Sequence, residues 1–126
     1  MRGYVAKLED LTEQNTSFRK VLYTASRAQL VLMCLLPNEE IGQESHEGLD
    51  QFFRVESGTV KIVMDDQETV MTAGMAAVVP SGTKHNLTNV GPNNAKLYTL
   101  YTMPAHRSDA VHQTKADAQS AEGDHH

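Results

Sequence analysis

The strongest constraint on this chain is its punctuation. Between Ser17 and Met103, short runs of β-forming residues alternate with turn residues. Runs spaced about 8–12 residues apart, each closed by a turn signal, point to an all-β sandwich or barrel. "SFRKVLYTA" is rich in β-formers, and "AQLVLMCLLP" stops at Pro37. "LDQFFRVESG" and "TVKIVMDD" are expected to form a hairpin bent at Ser57-Gly58, and Asp65-Asp66 begins the next turn. "QETVMTAG" closes at Gly74, "MAAVVP" at Pro80, "KHNLTNVG" at Gly91 and "AKLYTLYTMP" at Pro104.

One of these runs does not alternate. On a strand, Leu30, Leu32 and Cys34 share one face and Val31, Met33 and Leu35 the other, and both faces are apolar. Such a strand is expected to be covered on both sides, by the sandwich interior and by a subunit partner, which argues for a homodimer. At 126 residues the chain points to one domain with one core. Its formal net charge of −5 gives no basic surface to draw in nucleic acid or acidic lipid. No apolar stretch is long enough to cross a bilayer, and "MRGYVAKLEDL" lacks the apolar core of a signal peptide. Cys34 is the sole cysteine, so no internal disulfide can form, and a reducing cytoplasm is the simplest location. Within "LVLMCLL" it reads as a small buried hydrophobe.

The ends depart from the β pattern. Residues 5–15 read as one short helical turn or an irregular arm. After Pro104 the chain is polar and Ala-rich with no β pattern. "TKADAQSAE" could form a weak helix, with Thr114 as N-cap and Asp117 three residues on. The last six residues, ending in His125-His126, are expected to be disordered. The expected organisation is a β-barrel domain over 1–104 and a polar tail over 105–126.

The stretch "GMAAVVPSGTKHNLTN", Gly74 to Asn89, carries a resemblance. It is similar to the second motif of the cupin superfamily: glycine, five residues, proline, any residue, glycine, two residues, histidine, three residues, asparagine. Gly74, Pro80, Gly82, His85 and Asn89 fill every slot. The residues suit their places, because Pro80 ends a strand, Gly82 permits a tight turn, and the next strand opens with His85 pointing inward. "IGQESHEGLDQFF" resembles the first cupin motif in part. Counting back from Gly58 puts Gln51 in the glutamate slot, His46 and Glu44 in the two histidine slots, and Asn38 in the leading glycine slot. The resemblance covers about residues 17–103, and the chain is similar to small single-domain bacterial cupins. It implies a cupin-type jelly roll, or double-stranded β-helix, and commonly a dimer. Fold alone does not license the sugar-isomerase label such proteins often carry.

The resemblance further implies a metal shell of Glu44, His46, Gln51 and His85. The usual shell is three histidines and a glutamate, so the carboxylate has moved from the fourth motif position to the first. Two histidines and one carboxylate suit non-haem Fe(II) and leave open positions, while Mn, Ni, Zn or Cu also fit a shell without thiolate. Gln51 could give a weak fourth oxygen, hydrogen-bond a bound water, or satisfy a backbone group. Phe53 and Val55 share Gln51's face and would wall the site. Asp50 and Arg54 take the opposite face, where Arg54 could meet Asp50 or a subunit partner. Glu39, Glu40 and Glu47 read as solvated loop acids. Phe18, Tyr23, Tyr98 and Tyr101, with Met33, Met64, Met71, Met75 and Met103, read as packing.

Two functional classes remain open on these residues, and a third, a sugar isomerase or epimerase, has the support of the fold alone. One is a metal-dependent oxygenase, or a related lyase or isomerase, acting on a small organic molecule. The other is a non-catalytic module that binds or senses a small ligand. An open barrel mouth would leak water, and the shell has only two histidines. Residues 105–116 are therefore expected to fold back as a flap, with His106 or His112 facing the site.

Overall fold

The structure, a computed structural model, describes residues 2–121. Each β-forming run of the sequence becomes a strand: β1 (Arg19–Thr24), β2 (Gln29–Leu35), β3 (Gln51–Ser57), β4 (Val60–Met64), β5 (Gln67–Met71), β6 (Ala76–Val79), β7 (His85–Asn89) and β8 (Ala95–Tyr101). The polar tail adds a two-residue strand, β9 (Val111–His112), although it carries no β pattern. Helix α1 (Leu8–Gln14) precedes the strands and α2 (Lys115–Ala121) follows them. Thr114 Oγ1 accepts from Asp117 N (3.1 Å), so Thr114 caps α2 as the sequence suggests.

The strands form two antiparallel sheets, ordered β6-β3-β8-β2-β1-β9 and β5-β4-β7. This is the all-β sandwich expected from the punctuation, in the jelly-roll form that the resemblance implies. Inward positions alternate along β3 (Gln51, Phe53, Val55) and β8 (Leu97, Thr99, Tyr101), and all of these are buried. With Val31, Met33 and Leu35 of β2 and Val60, Ile62 and Leu87 of the smaller sheet, their apolar members make one core. No helix among the described residues is long and apolar enough to cross a membrane.

Several expectations are corrected. β3 and β4 are not a hairpin: β3 pairs with β6 and β8, whereas β4 pairs with β5 and β7. The chain turns a corner between the sheets at Gly58, where φ is +93° and a Cβ would stand 2.8 Å from Ala95 Cα. A glycine is required there by conformation and by space, so the turn signal was real but its partner strands were not. Two residues of the outer face of β2, Leu32 and Cys34, need no subunit to cover them. Leu32 and Cys34 are 2% and 3% exposed in the single chain, and α1 packs across β8 and β3 on that side. Arg54 pairs with Glu56 (Nε–Oε1 2.9 Å) rather than Asp50, whose carboxylate accepts from Ser81 N. Met75 and Met103 are exposed rather than core. Tyr98 stacks on Phe52 on the outer face, and Tyr23 on Tyr4 of the N-terminal arm. Of the last six residues, expected to be disordered, Ala121 belongs to α2 and the other five lie outside the described residues.

Candidate metal centre

The stretch holding Glu44 and His46 is not a regular strand. It runs extended beside β7, held by isolated bridges at Glu40–Thr88 and Glu44–His85. Glu44 N donates to His85 O (2.8 Å) and His85 N to Glu44 O (2.9 Å), so these residues face each other directly. Gly82 N donates to His46 O (2.9 Å), which ties the far end to the turn before β7. Glu44, His46 and His85 thereby converge, each with a ligating atom within 4.8 Å of the others. Gln51 reaches the same point from the facing sheet, with Oε1 3.1 Å from His85 Nε2.

The hydrogen bonds assign the donors. His85 Nδ1 donates to Thr83 O (3.0 Å), which leaves Nε2 with its lone pair toward Gln51. Gln51 Nε2 donates to Thr99 Oγ1 (2.9 Å), a side chain rather than the backbone, which turns Oε1 to His85. In that tautomer two lone pairs face each other and repel, and a proton on Nε2, a rotated amide or a cation between them relieves that repulsion. His46 Nε2 is buried with no hydrogen-bond partner among the described residues; Glu44 Oε1 lies 3.8 Å away. A buried imidazole nitrogen beside a carboxylate, with His85 Nε2 and Gln51 Oε1 converging on them, is a donor set a divalent cation would satisfy. Donors on a common ion stand about 3–4 Å apart, so small side-chain rotations close the set.

The field of the site agrees. Burial alone would raise the Glu44 carboxyl, but His46, Arg19 and His85 outweigh it and hold the group below its ordinary value. Glu44 is thus ready to bind a cation without first losing a proton. Phe53 closes one side, its ring 6.0 Å from that of His85, and Val55 is fully buried on the same face of β3. A hollow of about 450 Å³ opens beside the cluster, lined by Glu44, His46, Leu49, Ala105 and His106. His112 lies elsewhere, on β9 opposite Arg19 and along a separate hollow under the tail.

Two residues escaped the sequence reading. Tyr101, read as packing, is buried edge-on to His46 (ring centroids 5.6 Å, 89°), and its hydroxyl lies 3.2 Å from His106 Nε2. Burial and the Glu44 charge push its pKa up. The β3–β8 register sets Tyr101 opposite Gln51, a pairing no local pattern reveals. Arg19 is buried at an inward position of β1 beside Glu44. Its alternation with Val21 was visible, but the adjacent buried Phe18 masked it.

A family model described as a cupin domain matches residues 31–101, more than half of the chain. The chain belongs to the cupin family. The protein YrkC of Bacillus subtilis (strain 168) is 39% identical over 96% of this cupin and 68% of its own length. A crystal structure of BH2720 from Bacillus halodurans is 38% identical with a TM-score of 0.93, covering 95% of this chain and 96% of that one. A recombinant oxalate oxidase in complex with glycolate shares the fold alone, at 18% identity and a TM-score of 0.57 over 60% of this chain and 42% of that one.

Proposed function

We propose that this cupin is a metal-dependent enzyme acting on a small organic molecule, an oxygenase or a related lyase or isomerase. The observation that carries this is the convergence of Glu44, His46 and His85, with the buried Nε2 of His46 making no hydrogen bond among the described residues and standing 3.8 Å from Glu44 Oε1. In this reading Glu44, His46 and His85 hold the ion, Gln51 gives a weak fourth oxygen, and Fe(II) is the first choice of metal. When bound, the ion supplies Lewis acidity or oxygen chemistry at positions the protein leaves open. The protein's part is to orient and to exclude water. Thr83 O fixes the ring of His85 through its Nδ1–H, which aims Nε2 at the ion. Phe53 keeps one wall dry. Tyr101 keeps its proton at neutral pH and can donate to negative charge developing on a substrate oxygen, with His106 beside it to share that proton.

Residues 105–116 serve as a flap in this reading. Ala105 N and His106 N both donate to Gln29 Oε1, at 3.0 and 2.9 Å, which ties the flap to the floor of the larger sheet. The test is metal analysis of the protein as purified, followed by anaerobic Fe(II) loading and oxygen-uptake screening with small hydroxy, keto and amino acids. About one metal per chain, with uptake that depends on both metal and substrate, is expected. A chain that takes up no divalent metal would fit the non-catalytic binding module and overturn the proposal.

A further inference from the structure

Arg19 is a buried charge that the proposed metal shell leaves unused. The residue is 3% exposed, and its guanidinium lies over the Phe18 ring (5.4 Å to the centroid). Its Nε is buried without a hydrogen-bond partner, and Arg19 takes part in no ion pair within 4.0 Å among the described residues. Arginine cannot shed its charge as a buried lysine can, and the one carboxylate shown to feel it, Glu44, makes no ion pair with it within 4.0 Å, so its desolvation cost is only partly offset. The position is built into the sheet: Arg19 stands opposite Met33 of β2 and His112 of β9, side chain inward. It lines a cleft of about 150 Å³ with Phe18, Ile41, Glu44 and Lys115, under α2. Glu44 belongs both to this cleft and to the hollow in front of His46 and His106. The carboxylate thus stands between the metal cluster and Arg19.

We infer that Arg19 holds the carboxylate of a small organic acid whose other end reaches the Glu44–His46–His85 cluster. This rests on the metal reading and names the substrate class for it. Glu44 alone cannot occupy Arg19 in the loaded protein. A divalent ion draws on its charge, and the ion, Arg19 and Lys115 then outweigh one carboxylate. An anion restores the balance, and the planar guanidinium fork matches a carboxylate with two parallel N–H···O bonds. A neutral substrate could accept from the Arg19 Nε–H but would leave its charge unbalanced.

The full chain is titrated with propionate and with its neutral isostere propionamide, metal-free and after loading with redox-silent zinc. Calorimetry reads affinity, and the arginine Nε–H resonances read the site directly. Propionate is expected to bind about tenfold or more tightly than propionamide, and to shift the Arg19 Nε–H where propionamide does not. Arg19→Gln should abolish the preference while zinc content stays unchanged, and Arg19→Lys should keep part of it. Equal binding of the two probes, an unmoved Arg19 resonance, or a preference retained in Arg19→Gln overturns the inference. Should that variant fail to fold, the resonance in the unaltered chain decides alone. The two readings fail separately. A chain that takes no zinc yet prefers propionate through Arg19 loses the metal centre and keeps the subsite. One that loads zinc without the preference does the reverse.

Discussion

His46 and His85 offer the two imidazole nitrogens of the proposed shell, and each arrives from a different piece of backbone. Alanine at either should weaken zinc binding more than about 100-fold, beyond the loss typical of residues that only orient ligands. Circular dichroism checks that each variant still folds, since His85 is 2% exposed and its ring packs against Phe53. Gln51→Glu should tighten binding by adding a carboxylate. Competition with a chelator measures all three, and full metal content in both histidine variants would remove the proposed shell. Tyr101 makes a second prediction at this scale. Its pKa is raised from 10.0 by burial and by Glu44. The unfolded chain therefore ionises this phenol first as pH rises, so the stability it confers is complete below about pH 10 and is lost above it. The tyrosinate band of Tyr101, taken as wild type minus Tyr101→Phe, should appear only as the fold opens. A band that grows smoothly while the fold persists would show the hydroxyl to be solvated. His85 and His46 were legible in the sequence because their motif spacing survives folding. Arg19 and Tyr101 were not, because their roles come from burial and from a partner strand.

Gln29 organises the elements around the mouth. It is fully buried, accepts from Ala105 N and His106 N, and donates to His106 O (2.8 Å) and Thr24 Oγ1 (3.0 Å). Gln29→Leu keeps the bulk but strands two N–H groups and a carbonyl of the segment it holds. The expected loss is about 2–4 kcal/mol in urea unfolding, with faster hydrogen exchange and proteolysis confined to residues 105–112. Unchanged protection there would mean that β9 and α2 hold the tail unaided, since Ala118 of α2 is itself in the core. The strands were readable from alternation and punctuation, but their pairing was not. A turn residue marks where a chain bends and carries no information on which sheet receives it, and Gly58 sends β4 away from β3.

For the whole molecule, the homodimer expected from β2 now rests on different residues. Leu32 and Cys34 are already covered. The outward row Val78–Phe52–Leu100–Leu30 runs across four strands of the larger sheet, and Val78 is 64% exposed. Tyr4 and Val5 of the N-terminal arm border Leu30 on the same face. Such a continuous apolar row is the kind of surface a second copy covers. Light scattering should give twice the chain mass, and Val78→Lys with Leu100→Lys should halve it without lowering helix or strand content. A wild-type mass of one chain in dilute buffer would leave this row as ordinary surface.

The sequence by itself determined the all-β class, nearly every strand, the cap of α2 and the second motif around His85. All of these depend on neighbours within a few residues, where propensity and turn chemistry act. Only the tertiary structure decided that Glu44 faces His85 across a bridge, that Gln51 meets them from the other sheet, and that Arg19 and Tyr101 border the site. Those contacts join residues far apart in the chain. Their geometry follows from sheet register and from which strands share a sheet, and local pattern does not encode either.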